Sequence, residues 1–334
     1  MTTTTASPGS GATAAAEKSP SFGRRLGNWA MDNGALVGLI ALIVILVIAT
    51  PHFLSVDNLI NVGVQAAAIA ILAFGMTFVI VTGGIDLSVG AVAALGGMVT
   101  AYSFAEMALP GWITLILGLL TGLACGAIAG ASIAYGKLPA FIATLAMMSI
   151  ARGLTLVISE GSPQPSPDAV NWMGTDVGFL PMPIVMMLLA GLICWFVLSR
   201  TVLGRSMYAI GGNIEAARLS GLPVRQILIA VYTLSGLFAA WAGLVMTARL
   251  SSAQPQAGVS YELDAIAAVV IGGASLSGGR GKATGTFVGA LLLAVIRNGL
   301  NLLNVSSFWQ QIVIGIVIAA AVGFDVIRNK TIAQ

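Results

Sequence analysis

The sequence predicts an all-α polytopic membrane protein, on three observations. Hydrophobic residues make up 57% of its 334 positions and charged residues only 8%, against about 25% charged in soluble domains. So few charges cannot cover a water-facing surface, whereas a helix in lipid satisfies its own backbone. The apolar residues are gathered into runs, most of them near the ~20 residues that a bilayer demands. The Lys and Arg residues between those runs segregate to one side.

Ten spans are predicted, at roughly 34–50, 59–82, 88–106, 112–135, 140–159, 182–199, 225–249, 262–276, 284–304 and 308–327. The eighth is short and glycine-rich at its end. With the N-terminus inside, Lys18, Arg24, Arg25, Lys137, Arg200, Arg205, Arg218, Arg225, Arg280, Lys282, Arg328 and Lys330 all face the cytoplasm. This is the positive-inside pattern. Arg152, Arg249 and Arg297 fall within spans. The predicted outer loops carry Asp57, Glu106, Glu160, Asp168, Asp176, Glu262 and Asp264, with no Lys or Arg. An odd helix count would spoil this segregation, so both termini are expected in the cytoplasm.

Residues 1–30 are rich in Thr, Ala, Gly, Ser and Pro and read as a disordered cytoplasmic tail. Residues 31–330 read as a single transmembrane domain. The first apolar run resembles a secretory signal, but further spans follow it, so it reads as a retained helix. A net charge of +3 gives no footprint for nucleic acid. Cys125 and Cys194 lie in apolar runs, and His52 has no second ligand nearby, so neither a disulfide nor a metal site is expected.

The cytoplasmic stretch Ser199–Arg225 is the most informative. Asn213 is a good N-cap, Glu215 sits in the first turn, and Ala216, Ala217 and Arg218 suit a helix interior. Gly211 and Gly212 break the chain before it. Gly221 caps the C-terminus and Pro223 prevents continuation. The result is a helix of about seven residues, ~10 Å long, too short to be stable without packing. It reads either as a knob for a groove in a partner or as a helix lying on the bilayer.

Three further stretches carry polar residues. Thr82–Gly90 contains Gly83, Gly84, Asp86 and Ser88, and its Val-x-Gly-Gly-x-x-Leu-Ser-x-Gly pattern recurs at Val270–Gly279 with Gly272, Gly273 and Ser277. These are plain helix–helix turns or a related pair of hinge or gate turns. Ala248–Gly273 carries Arg249, Gln254, Gln256, Tyr261, Glu262 and Asp264, groups suited to a polyol and equally to a solvated loop. Arg152 and Arg297 fall in the outer halves of their spans. They either snorkel, pair with an outer-loop acid, or line an outward path, with Asn298, Asn301 and Asn304 recurring every three residues beside Arg297. The long outer loop 160–181, with its prolines, reads as a stiff connector or a docking surface.

Glu215-Ala216-Ala217-x-x-x-Gly221 matches the start of the EAA motif of ABC importer permeases, without the family's later continuation. Taken with Gly83–Gly90, Ala140–Met148, Tyr208–Asn213, Ala248–Gly273 and Asn298–Leu303, the chain from about 35 to 327 resembles the permease subunit of ribose-type ABC sugar importers. The resemblance implies two permease copies in a bacterial plasma (inner) membrane, an ABC ATPase subunit docked on the 213–221 helix, and an extracytoplasmic sugar-binding protein. It also implies a monosaccharide cargo, ribose first.

No Gly-x-x-x-x-Gly-Lys-[Ser/Thr] loop occurs. Gly278-Gly-Arg-Gly-Lys282 lacks its spacing and hydroxyl, so ATP is expected on a partner and no cofactor on this chain. A self-sufficient secondary transporter is the alternative, although proton-coupled carriers place acids inside the membrane and here every acid falls at a predicted helix end or in a loop. No His cluster, buried carboxylate pair or Ser/His pair within the spans suggests an intramembrane enzyme.

Overall fold

A computed structural model describes residues 34–178 and 180–332. The predicted tail, with Lys18, Arg24 and Arg25, lies outside the described residues. The chain forms helices α1 (Gly34–Ala49), α2 (Val56–Val81), α3 (Val89–Ala105), α4 (Gly111–Ala134) and α5 (Ala140–Ser159). After a folded loop come α7 (Met182–Arg200), α8 (Val202–Gly212), α9 (Ile214–Leu219) and α10 (Val224–Leu250). The last three are α11 (Tyr261–Ile271), α12 (Ala283–Leu302) and α13 (Ser307–Ile332).

Each predicted span overlaps a helix, though not every helix is long enough to cross a bilayer. Among the described residues, six of these are long and apolar enough to cross a bilayer: α2, α4, α5, α7, α10 and α12. Helices α1 and α3 are shorter apolar helices. The predicted eighth span shrinks to α11, which has 11 residues and reaches only ~16 Å at 1.5 Å per residue. Helix α2 begins at Val56 rather than 59, because the Ser55 hydroxyl accepts from Asn58 N at 3.3 Å and Asp57 lies in the first turn.

The centre of the bundle is α2, which is buried over most of its length. Helix α10 packs along it and along α3 and α4. Between α4 and α10 the contact is backbone to backbone. Gly118, Gly122, Gly126 and Gly130 recur every four residues on one face of α4. A Cβ on Gly126 would lie 2.9 Å from Thr233 Cα and one on Gly130 2.9 Å from Ile229 Cα. In lipid, where burial of apolar surface does not drive helix pairing, such close approach supplies the dispersion contact that does. Polar bonds add to it: Thr77 and Thr286 hydroxyls meet at 2.8 Å between α2 and α12. Cys125 and Cys194 are free and buried.

The loop 160–181 is folded rather than extended. Strand β1 (Gln164–Pro165) pairs antiparallel with β4 (Ser252–Ala253), and β2 (Asp176–Val177) with β3 (Leu180–Pro181). Between them lie the single-turn helix α6 (Asp168–Asn171) and a 3₁₀ turn (Trp172–Gly174). Val170 and Met173 are buried, and the turn rests on the end of α10, where a Cβ on Gly174 would lie 2.6 Å from the Ala248 carbonyl carbon. These small strands qualify the all-α expectation without changing the helical bundle.

Candidate functional site

The predicted knob is helix α9, six residues long. The Asn213 carboxamide accepts from Ala216 N at 3.0 Å, satisfying one orphan donor at the N-terminus. Gly221 has φ +83°, Gly221 N donates to Arg218 O, and Leu222 N donates to Ala217 O. These two bonds close the helix in a Schellman turn. Ala217 is buried, whereas Leu219 is 82% and Ile214 47% exposed. Glu215 and Arg218 form an ion pair at 2.8 Å with both side chains about two-thirds exposed. An exposed pair of this kind contributes little stability. The helix therefore offers an apolar and charged outer face that its own chain leaves open.

The chain does not break at Gly211-Gly212, as the sequence suggested. Both belong to α8, an 11-residue helix that the sequence analysis did not foresee, and the break comes at Asn213, with φ −162° and ψ 106°. Gly211 is in the helix because two other turns press against it. Its notional Cβ falls on Val81 O and Gly279 N, and a Cβ on Gly278 would lie 2.8 Å from Gly211 O and 2.9 Å from Gly83 N. Gly279 N donates to Val81 O at 2.9 Å, and the Tyr208 hydroxyl donates to Gly281 O at 2.7 Å. Burial above all holds the Tyr208 phenol above its ordinary range, so it stays protonated as a donor. The two glycine turns thus touch each other, with the end of α8 packed against both and α9 following directly.

The recurrence of the two turns is real at the level of capping but shifted by one residue. Gly83 has φ +81°, and its structural counterpart is Gly273 at φ +89°, not Gly272. In each turn the next residue donates back to the helix, Gly84 N to Val79 O and Ala274 N to Val269 O, both at 3.1 Å. The continuations differ. Ser275 N bonds Arg280 O in the second turn, with Ser277 N on Ser275 Oγ at 3.3 Å.

In the first turn, Asp86 enters the packed interior. It is 1% exposed. Its carboxylate accepts from Ser88 N at 2.9 Å, Ser88 Oγ at 2.6 Å and Ser235 Oγ at 2.7 Å. Asp264 is equally buried, inside α11, and pairs with Arg297 at 2.6 Å. Asp86 in the turn before α3 and Asp264 in the first turn of α11 keep the loop and helix-end places expected of the acids, but both are buried. Both acids are carried inward because turns and a short helix fold back into the bundle, a long-range effect that hydropathy does not report.

Arg152 and Arg297 are both held by partners within the bundle, Arg297 by Asp264. Arg152 donates to Pro255 O at 3.0 Å and Ala257 O at 2.8 Å. Asn298 and Asn58 exchange amide bonds at 2.8 and 3.0 Å between α12 and α2. Asn301 instead accepts from Gln310 at 2.7 Å, and Asn304 takes φ +56°, so the three asparagines form no single stripe. Arg249 sits apart, lining a polar cavity of about 400 Å³ with Asp57, Asn61 and Asp176.

A bundle of long apolar helices with a buried ion pair, glycine-packed contacts and one exposed, capped short helix defines a polytopic helical membrane protein. The family described as "Branched-chain amino acid transport system / permease component" matches residues 58–322, and the chain belongs to it. The chain is 47% identical over 304 residues to the ribose import permease protein RbsC of Escherichia coli (strain K12), covering 89% of this chain and 94% of that protein. Identity to RbsC of Bacillus subtilis (strain 168) is 48% over 308 residues, 89% and 93% of the two chains. The D-allose transport system permease protein AlsC of E. coli is 41% identical over 281 residues, 84% and 86%. No solved structure matched the chain. The chain is a multi-pass permease component of a bacterial inner membrane.

Proposed function

We propose that this chain is the membrane-spanning subunit of an ATP-driven ABC importer that carries a monosaccharide, ribose first, into the cytoplasm by alternating access. The observation that carries the reading is α9: a short helix, capped at both ends, with Ile214, Glu215, Arg218 and Leu219 exposed and α8 directly behind it. An ABC ATPase subunit docks there, binds the ATP, and pushes through Gly211 on Val81, Gly83, Gly278 and Gly279. The choice of ribose rests on the relatives' names and on identities of 47 and 48% over most of the chain. An extracytoplasmic sugar-binding protein delivers the cargo, and a second copy of the chain completes the path.

The topology proposed has ten passages with both ends in the cytoplasm. The eighth passage is composite: residues 251–260 enter from outside and α11 completes the crossing. The loop 160–181 then caps the outer face, and α9 with the glycine turns faces inward. No cofactor belongs to this chain.

Glu215→Lys reverses the exposed charge, and Gly221→Pro forbids the φ of +83° because proline is held near −65°. Purified with its ATPase and binding protein in proteoliposomes, each variant should retain insertion but lose most sugar-stimulated ATP hydrolysis and uptake together. Wild-type coupling in both variants refutes the assignment of α9. Sugar flux by the chain alone, without any ATPase, would favour the self-sufficient carrier.

A further inference from the structure

Two helices of this protein begin inside the bundle, and their N-termini meet. Helix α3 follows Asp86, whose carboxylate is bonded to Ser235. Ser235 lies roughly 17 Å along the ~40 Å of α10, which places the start of α3 near mid-bilayer. Helix α11 starts at Tyr261, after the segment 251–260 has turned inward. The two starts touch through glycine backbones. A Cβ on Gly258 would lie 2.6 Å from Gly90 O, and one on Gly90 2.6 Å from the Glu262 carboxylate. Gly258 has φ +67°, a conformation that favours glycine.

The inward segment is held at its tip by one side chain. Arg152 lies roughly 10 Å inward from the end of α5 at 1.5 Å per residue. Its guanidinium donates to both Pro255 O and Ala257 O. A single guanidinium nitrogen, Nη1, thus satisfies two backbone carbonyls that no helix or strand satisfies. Non-helical backbone at membrane depth is tolerated only where its polar groups find such partners or water. At a similar depth Arg297, roughly 8 Å from the end of α12, holds Asp264 in the first turn of α11.

We infer that the Gly90–Gly258 contact between the two half-helices is the outer closure of the permeation path, and that Arg152 is the positioning residue that latches it shut. This rests on the importer reading for the direction of the path. Each half-helix brings the positive end of its dipole to the junction. Glu262, lying against Gly90, offsets that charge, so the closed junction is electrically balanced and suits a neutral polyhydroxyl solute rather than an ion. Opening requires the tip at Pro255–Gly258 to leave Gly90. Arg152 resists this step, and the glycines allow it without side chains to unpack.

The test is accessibility from outside, which needs no sugar. Val89 is 1% exposed beneath the contact and Val245 0% exposed on α10. Each is replaced singly by Cys in a chain whose Cys125 and Cys194 are Ala, expressed in cells and treated with a membrane-impermeant maleimide. Val89→Cys should be labelled slowly with Arg152 present and at least tenfold faster with Arg152→Gln. Val245→Cys should stay protected in both. Equal protection of Val89→Cys in both backgrounds overturns the latch, and labelling of both cysteines in Arg152→Gln reduces Arg152 to a general structural role and overturns it equally. If Arg152→Gln does not reach the membrane, Arg152→Met, which keeps the long stem and removes every donor, should label faster than wild type, and no faster labelling refutes the inference. A failed importer assignment would appear instead as absent sugar-stimulated ATPase with the labelling pattern intact.

Discussion

Replacing Arg297 by Met should be among the most damaging single changes in the bundle, and more damaging than replacing its partner. The pair spans 2.6 Å, and the Asp264 side chain is 5% exposed against 27% for Arg297. Arg297→Met leaves a carboxylate with almost no water and no countercharge, a loss of about 3–5 kcal/mol for a broken buried pair. Asp264→Asn leaves a cation that already reaches solvent and can swing further along its flexible stem, so it should cost nearer ~1–2 kcal/mol, the price of one charge-assisted bond. At about 2 °C per kcal/mol for a chain of this size, the midpoints should fall by roughly 6–10 °C and 2–4 °C. The assay is tryptophan-fluorescence melting of purified protein in one detergent, with Arg297→Met/Asp264→Leu as the third variant. Removing both charges should recover much of the Arg297→Met loss. Equal falls for the two single variants, or a double variant as unstable as their sum, would refute the reasoning that burial asymmetry sets the cost.

Gly126→Leu puts a side chain onto the Tyr232 carbonyl and within 2.9 Å of Thr233 Cα at its first carbon. It should prise α4 from α10 and destabilise by more than the ~1–3 kcal/mol of ordinary overpacking. Gly153→Leu on α5, with nothing within 4 Å, should stay within about 0.5 kcal/mol of wild type in the same melt. Asn58→Leu and Asn298→Leu should each strand the other's buried amide, whereas the double variant removes both. A double-mutant cycle by denaturant should return a coupling energy of about 0.6–2 kcal/mol, and strict additivity would contradict the reciprocal amide pair.

The long helices were legible because lipid imposes one simple demand, an apolar run of sufficient length, and α2, α4, α5, α7, α10 and α12 meet it. Helix α9 was legible because its caps are local: Asn213, Glu215 and Gly221 act within a few residues. Helix α8 was not, since Gly204, Ser206, Gly211 and Gly212 have poor helix propensity and the helix is held by turns distant in sequence. The burial of Asp86 was hidden for the same reason, its partner Ser235 lying on another helix, whereas pairing of Arg297 with an outer-loop acid was one of the readings and Asp264 fills that place. The recurrent glycine pattern was visible, but its register was not. Identical letters aligned Gly83 with Gly272, while hydrogen bonding equates it with Gly273. The four-residue glycine spacing of α4 is present in the sequence, yet hydropathy gives no sign of it.

The shortness of α11 bears on how the chain is made. An 11-residue segment carrying Glu262 and Asp264 is too brief and too polar to be threaded into lipid as it leaves the ribosome, since each acid near the centre of a lone helix costs about 2.5–3.5 kcal/mol. Helix α12 is long enough, but it brings Arg297. Joined as a hairpin, the two can enter together with Asp264 and Arg297 already neutralising one another and the carbonyls at 255 and 257 handed to Arg152 of a helix that arrived earlier. Residues 251–271 therefore find their polar partners only once α5 is in place and α12, which ends at Leu302, has been made.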